Sequence, residues 1–398
     1  MKNKFLYFKF ISLFFFFILF FLILVALDIL LPRISKIFSS TYKESQNIIM
    51  SRRIEDNQFL IRTNNKKWPY IYTQDYNLHP LKKFVQKNDI IPLGTLPYQD
   101  LILCSEGYGI IEIKTDRFGF RNDDRIWESR DVEAVVIGDS FTDGQCVQEQ
   151  FSFVGILNDK GIKTLRLSQG GYSSIHYAFL TKIFVPSIKP KNLIIVFHEN
   201  DNDVIDLNEY HYEFFFKKNI NDYIDFKEGI PYPSKQIKSF NSDIFNFISE
   251  DYKKNKNVSF DKLRTSFSKL KKYFLLSNTK KNILLLTNSK KLIGSNYLAI
   301  DTAINMCEKI KCNAYFILVR SSSFWDPNPA FYYDNYKIAL EVYLKKYEKK
   351  LITFDNIYDY QNRKEYFAPK GPHPSKKFNQ IIANKIYDTI IGESHKNN

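Results

Sequence analysis

The chain has 398 residues, of which 44% are hydrophobic and 16% aromatic, and it carries a formal net charge of +14. A composition this apolar excludes an intrinsically disordered protein and allows a large buried core. The excess lysines are spread through Lys-, Asn- and Ile-rich stretches without a nucleic-acid signature, so we expect no nucleic-acid partner. We interpret the charge as solvated lysine, although a basic surface could also favour anionic lipid headgroups or acidic polysaccharide.

An apolar run near the N-terminus predicts one membrane-spanning helix. Every residue from 10 to 27 is apolar except Ser12, and at about 1.5 Å of rise per residue the run covers roughly 27 Å, close to the hydrocarbon thickness of a bilayer. Three lysines precede the run, which places the N-terminus in the cytoplasm and the rest of the chain outside it. No small-x-small cleavage site follows cleanly, so we favour an uncleaved anchor over a cleaved signal peptide.

The remaining sequence divides into two parts. Residues 32–100 are polar and mixed, which indicates a stalk and a small cap, and residues 101–392 form the predicted main domain. Within that domain, short β-branched runs alternate with helical stretches, which predicts an α/β fold with a parallel central sheet. The segment at about 208–292 lacks this rhythm and predicts an inserted lid or edge subdomain. The predicted strands are 134–137, 164–167, 193–197, 314–319 and 351–354.

The four cysteines are scattered along the chain, and none has the CxxC spacing of a zinc or redox site. We interpret them as buried apolar residues, and a bridge between Cys307 and Cys312 is the alternative in an oxidising compartment. His, Cys and carboxylate residues do not cluster at ligand spacing, so the sequence predicts neither a metal site nor a cofactor. The cysteines are Cys104, Cys146, Cys307 and Cys312.

Polar and glycine-rich turns follow the first three predicted strands. In an open α/β sheet, reactive groups collect beyond the carboxyl ends of the strands. The first turn carries Asp139 and Ser140 after a glycine, which permits the tight bend that would expose a nucleophile. The second carries Gly170 and Gly171, whose backbone can direct an N–H group at an oxyanion. The third carries Asn200, whose side-chain amide is a further donor.

In this order, and with the segment Thr-Asp-Arg-Phe-Gly-Phe-Arg at 115–121, these turns and the Gly-Pro-His-Pro-Ser segment at 371–375 resemble the SGNH/GDSL hydrolase family, specifically its long, membrane-tethered bacterial members. The resemblance extends over residues 115–391. It implies a three-layer, flavodoxin-like fold and serine-dependent chemistry on acyl esters in the bacterial cell envelope.

The resemblance also implies residue roles. Ser140 would be the nucleophile, and its own N–H group would join those of Gly171 and the Asn200 amide in an oxyanion hole. Gly170 and Asp139 are further candidates from the same two turns. Asn202 competes with Asn200, because the Asn-Asp pair occurs twice in succession and the residue before Asn200 is glutamate where the family has glycine.

His373 would be the general base, but the acid that the family places two or three residues before it is absent. Those two positions hold Gly371 and Lys370. The sequence therefore predicts a Ser–His dyad whose imidazole is oriented by a backbone carbonyl or by Asp355, at the end of the fifth predicted strand.

The resemblance implies an esterase or deacylase that removes O-acyl groups from an extracytoplasmic substrate such as a cell-surface glycan. Two alternatives stay open at this point. An O-acyltransferase would use the same serine, with a sugar hydroxyl in place of water. A catalytically inactive protein would bind polysaccharide or scaffold a membrane complex. The expected partners are an acylated small molecule or polysaccharide and the membrane.

Overall fold

A computed structural model describes the chain at residues 13–24, 26, 68–71, 81–202, 217–254, 292, 294–320, 330–355 and 363–394. Part of the predicted anchor is a helix at 13–24 with exposed apolar side chains. Residues 10–12, 25 and 27 of that predicted span lie outside the described residues. Among those that are described, no helix combines the length and the hydropathy needed to cross a membrane.

The elements are numbered in chain order. The strands are β1 Trp68–Pro69, β2 Asp100–Cys104, β3 Ile111–Lys114, β4 Ala134–Gly138, β5 Thr164–Ser168, β6 Asn192–His198, β7 Ile224–Lys227, β8 Ile230–Pro233, β9 Asn313–Val319 and β10 Leu351–Ile352. The α-helices are α1 Lys82–Asn88, α2 Ser140–Asp143, α3 Phe153–Asp159, α4 Ser174–Ile188, α5 Ile220–Tyr223, α6 Lys235–Lys254, α7 Gly294–Ile310, α8 Ala330–Lys345, α9 Arg363–Tyr366 and α10 Lys376–Ser394.

The central sheet has five parallel strands in the order β10-β9-β6-β4-β5. Renumbered within the sheet, this is the 2-1-3-4-5 order of flavodoxin-like folds. All five strands predicted from the sequence are present in the sheet, so the predicted α/β class and parallel sheet are confirmed. The sheet reverses its strand order between β4 and β6, which is where such folds place their ligands.

Both faces of the sheet are covered, which explains why its strands are continuous apolar runs. The sequence of β4 is AVVIG and all its residues are buried, as expected for a strand with no solvated face. Val135 and Ile137 join a core cluster with residues of α4, α7 and α8. Ala134 and Val136 join a second cluster with residues of α3 and α10. Helix, sheet and helix therefore form the three expected layers.

A small sheet of β1, β2 and β3 packs against one face of this domain. β1 runs parallel to β2, and β2 runs antiparallel to β3. Leu81, Val85 and Leu101 belong to the same core cluster as the central strands. The described residues at 81–100, within the predicted stalk and cap, thus contribute to the main core.

The described part of the predicted insertion contains a hairpin and a helix. β7 and β8 pair antiparallel around Glu228 and Gly229, which have φ values of 53° and 81°, as a tight hairpin turn requires. Helix α6 places Phe240 and Ile244 in the core. This part of the insertion therefore packs on the domain.

The cysteines form two disulfides, so the interpretation of all four as unpaired apolar residues is wrong. Cys104 pairs with Cys146, 42 residues away, and Cys307 pairs with Cys312. The fold brings the Cα atoms of the first pair to 5.1 Å, within the range that a disulfide requires. The first pair has no sequence signature, because only the pairing of β2 with the rest of the core brings its members together.

Candidate active site

The turn after β4 presents Ser140. The carboxylate of Asp139 accepts the N–H of Phe141 at 2.9 Å and caps the short helix α2. A Cβ atom at Gly138 would lie 2.1 Å from the Thr142 hydroxyl oxygen, so only glycine fits this bend. Across residues 134–147, every residue except Ser140 is buried. The turn therefore exposes one side chain, the predicted nucleophile.

The other two predicted turns lie on either side of this one. Gly138 pairs with Ser168 of β5, and Ile137 pairs with Ile195 of β6, so β4 lies between these two strands. Neighbouring strands are about 4.8 Å apart, so the turns that follow them meet at the carboxyl edge of the sheet. Gly171 lies in the turn after β5 and has a φ of 81°, a conformation that glycine adopts readily.

A 3-10 turn at Glu199–Asn202 follows β6 directly and carries both candidate asparagines. Asp201 fixes this turn. Its carboxylate accepts the backbone N–H of His198 at 2.8 Å and the hydroxyl of Tyr177 at 3.0 Å. The structure therefore places the asparagine turn beside the serine turn, with a buried carboxylate holding its backbone.

His373 approaches from the loop between α9 and α10. Its carbonyl accepts the N–H of Ala368 at 2.8 Å, and Phe367 forms an isolated bridge with Pro374, so the loop is closed on itself. The His373 ring centroid lies 5.3 Å from that of Phe141, the residue after the serine. The side chain is 11% exposed. The predicted base therefore lies at the same edge of the sheet as Ser140.

Glu106 is a candidate site residue that sequence reasoning missed. Its Oε1 lies 2.8 Å from Nδ1 of His373, and its Oε2 accepts the backbone N–H of His373 at 3.3 Å. An ionised carboxylate can only accept hydrogen bonds, so this contact assigns a hydrogen to Nδ1, and in the neutral imidazole the lone pair is then on Nε2. A serine hydrolase needs this tautomer, because its base takes the serine proton at Nε2.

Gly371 makes room for this carboxylate. A Cβ atom built at Gly371 would lie 1.9 Å from Cδ of Glu106 and 2.2 Å from both of its oxygens. Glu106 thus occupies the space into which a side chain two residues before His373 would project. The backbone carbonyl of Glu106 also accepts the N–H of Lys370 at 2.9 Å. The carboxylate beside His373 therefore comes from the connection between β2 and β3 and not from the histidine loop.

The expectation that Asp355 or a backbone carbonyl orients His373 is therefore wrong. Asp355 lies elsewhere, where it accepts hydrogen bonds from the hydroxyls of Tyr333 at 3.3 Å and Thr353 at 3.1 Å and forms an ion pair with Lys337. Lys337 and Tyr333 both belong to α8, so Asp355 fastens the end of the sheet to that helix.

The carboxyl group of Asp139 is buried near two histidines. Burial raises the pKa of its carboxyl group above the usual range, and the nearby His198 and His373 oppose the rise. Nδ1 of His198 lies 4.0 Å from Asp139, and the His198 ring stacks on Phe141 with centroids 4.0 Å apart. Asp139 therefore caps α2, and His198 packs behind the serine turn.

One group of potential metal ligands occurs among the described residues. Donor atoms of Glu106, Cys146 and His373 lie within 4.8 Å of one another. The sulfur of Cys146 is bonded to Cys104, so it is not available as the thiolate that a metal would require.

The central parallel sheet, its flanking helices and the order of the turns fit the α/β fold of the SGNH/GDSL hydrolases. No family model matches the chain, and no curated protein shows significant similarity to it.

Similar solved structures include a protein from Desulfitobacterium hafniense assigned to the lipolytic G-D-S-L family, with 11% identity and a TM-score of 0.34 over 64% of this chain and 98% of that one. The esterase EstA from Pseudoalteromonas has 13% identity and a TM-score of 0.33 over 67% and 100%. The lipase/acylhydrolase from Enterococcus faecalis has 14% identity and a TM-score of 0.34 over 66% and 96%. These values are too low to support a functional inference.

Proposed function

We propose that the protein is a serine esterase of the SGNH/GDSL type, with Ser140 as nucleophile, His373 as general base and Glu106 as the acid of the triad. The observation that carries the proposal is the 2.8 Å contact between Glu106 and Nδ1 of His373. A buried carboxylate on that nitrogen, at the same sheet edge as a partly exposed serine, is the arrangement that serine catalysis requires. A binding or scaffold protein has no need of this arrangement, so we favour the enzyme over the inactive alternative.

In the proposed first step, Nε2 of His373 takes the proton of Ser140 as its Oγ attacks the acyl carbonyl carbon. The N–H groups of Ser140 and Gly171 and the amide of Asn200 bind the oxyanion of the tetrahedral intermediate. Glu106 holds the imidazole in the required tautomer and stabilises the imidazolium ion. The intermediate collapses, and the alcohol leaves with the proton from His373. An acyl-enzyme on Ser140 remains.

In the second step, His373 takes a proton from water, whose oxygen attacks the acyl carbon. Collapse of the second tetrahedral intermediate returns the proton to Ser140 and releases the carboxylic acid. A sugar hydroxyl in place of water would give O-acyl transfer through the same acyl-enzyme. Analysis of the products in the presence of a sugar acceptor distinguishes hydrolysis from transfer.

We further propose that the domain is anchored by the apolar segment at 10–27 and lies outside the cytoplasm. The lysines before the segment support this orientation. Two disulfides support an oxidising compartment, where such bonds persist. A domain held there would meet O-acylated glycans of the cell surface, which we propose as its substrates.

The test uses the full-length chain purified in detergent. A fluorophosphonate probe should label the wild type and leave Ser140→Ala unlabelled, because only an activated serine reacts. Ser187→Ala, a half-buried serine of α4, is the matched control and should label normally. Hydrolysis of a small acetyl ester should be lost in Ser140→Ala and His373→Ala. Equal background hydrolysis by wild type and Ser140→Ala, across a panel of esters and acceptors, would overturn the proposal in favour of a scaffold.

A further inference from the structure

We propose that the Cys104–Cys146 disulfide is a positioning element that holds Glu106 against His373, so that full activity requires this bond. The inference rests on the proposed function, because it assigns a role in the same triad.

The bond joins the two chain segments that carry the acid and the nucleophile. Cys104 ends β2, two residues before Glu106, and Cys146 lies in the loop that follows α2 and Ser140. The sulfur of Cys146 lies 4.0 Å from Nδ1 of His373. The crosslink therefore lies against the same ring nitrogen that Glu106 contacts.

The segment that carries Glu106 lies outside the regular strand pairing and has an unfavourable backbone conformation. After a register shift between Ile102 and Cys104, β2 makes its last pair with β3 at Cys104 and Ile111, so Glu106 lies just beyond the paired residues. Glu106 has a φ of 43°, and the adjacent Gly107 has a φ of 93°. A left-handed conformation is unfavourable for glutamate and persists only where the surroundings impose it. A covalent bond two residues away is one such restraint.

The other end of the disulfide is firmly held. One guanidinium group, that of the buried Arg121, donates hydrogen bonds to three carbonyl oxygens on either side of Cys146. These are the carbonyls of Asp143 at 3.1 Å, Gly144 at 2.8 Å and Val147 at 2.8 Å. Arg121 is also ion-paired with Glu149 at 2.7 Å. The disulfide thus transmits the fixed position of this loop to the segment that carries Glu106.

Loss of the disulfide should therefore affect turnover through Glu106. A displacement of about 1 Å at a catalytic group can lower the rate about a hundredfold. In the variant that carries Cys104→Ser and Cys146→Ser, we expect kcat to fall about 10- to 100-fold with KM unchanged. The reason is that the carboxylate of Glu106 contacts the base and not the substrate.

The experiment is a mutant cycle on the full-length chain. It compares wild type, Cys104→Ser with Cys146→Ser, Glu106→Gln, and all three changes together. If the disulfide acts through Glu106, removing it should lower kcat no further in a chain that already carries Glu106→Gln. The acid limb of the kcat/KM profile should move to lower pH in Glu106→Gln, which removes the negative charge beside the imidazole, and by less in the cysteine variant, which moves that charge away. Cys307→Ser with Cys312→Ser is the control and should behave as wild type.

A second measurement does not require the cysteine variant to fold. The folded control chain, which retains only the Cys104–Cys146 bond, is reduced with a phosphine, and mass spectrometry after alkylation verifies two new thiols. Retention of full kcat after reduction would overturn the proposal. Multiplicative losses of kcat in the cycle would also overturn it, because the bond would then act independently of Glu106. Loss of the near-ultraviolet circular dichroism on reduction would overturn it as well, because the bond would then serve general stability.

Failure of the proposed function has a different signature. If oxidised wild type is not labelled by the fluorophosphonate and hydrolyses no ester, the esterase assignment fails regardless of the disulfide. If wild type is active and the chain without the bond is equally active with the same pH profile, only the positioning role fails.

Discussion

Replacing Gly371 by alanine should disable the triad without changing any of its members. The added Cβ would lie 2.2 Å from both oxygens of Glu106, whereas ordinary contacts begin near 3.4 Å. The carboxylate must then retreat by about 1 Å, which takes the 2.8 Å contact with Nδ1 of His373 beyond hydrogen-bonding distance. Gly371 does not have a positive φ, so alanine is compatible with the backbone and tests the available space alone.

The expected loss follows from that displacement. We expect kcat for a small acetyl ester to fall about a hundredfold in Gly371→Ala. Glu106→Gln should lower it by about 10³- to 10⁴-fold, as for loss of the acid in other triads. Relocating the acid in Glu106→Ala with Gly371→Asp should recover part of the activity lost in Glu106→Ala, because the aspartate would enter the vacated space.

Steady-state kinetics of the purified full-length variants measures these effects. Gly392→Ala is the matched control, since a Cβ there meets no atom within 4 Å, and its kcat should equal that of wild type. A wild-type kcat in Gly371→Ala together with an impaired Glu106→Gln would refute the clearance reasoning. Impairment of Gly371→Ala with unimpaired Glu106→Gln would show that the loss does not pass through the carboxylate.

Three further predictions concern the oxyanion hole, stability and topology. Asn200→Ala should lower kcat about a hundredfold or more while Asn202→Ala does not, and the reverse result would mean that the third turn is misaligned. Burial raises the pKa of Asp116 from 3.8 to about 6, so the folded state binds more protons than the unfolded state between these values. Its contribution is fully present below about pH 4 and is lost as the pH rises through 6. The unfolding free energy of wild type minus that of Asp116→Asn, measured by urea titration, should thus fall by about 2 kcal/mol from pH 4 to pH 7, whereas a pH-independent difference would contradict this. Protease added to intact spheroplasts should digest the domain, and full protection would contradict the proposed orientation.

The sheet and the three turns of the candidate site could be predicted because their signals are local. Each strand is a short buried run, and each turn follows its strand within a few residues, as at Gly138 and Ser140. The parallel topology then follows from the alternation of strands and helices. The strand order in the structure then shows that the turns after β4, β5 and β6 are neighbours.

Glu106 could not be predicted in this way. It lies 267 residues before His373 and outside the segment that resembles the hydrolase family, so no motif window contains both residues. Cys104 and Cys146 were missed for the same reason. The available signal was the glycine at position 371, since a missing side chain beside a catalytic base leaves space that another part of the chain can fill.

The origin of the acid in the small N-terminal sheet affects how the protein should be divided for study. A recombinant fragment that begins at β4 would retain the whole central sheet, the serine and the histidine. It would lack Glu106, and the low turnover that we expect from it could be mistaken for that of a degenerate enzyme or attributed to a poor choice of ester. Fragments intended for activity screens should therefore begin no later than the start of β1 at Trp68.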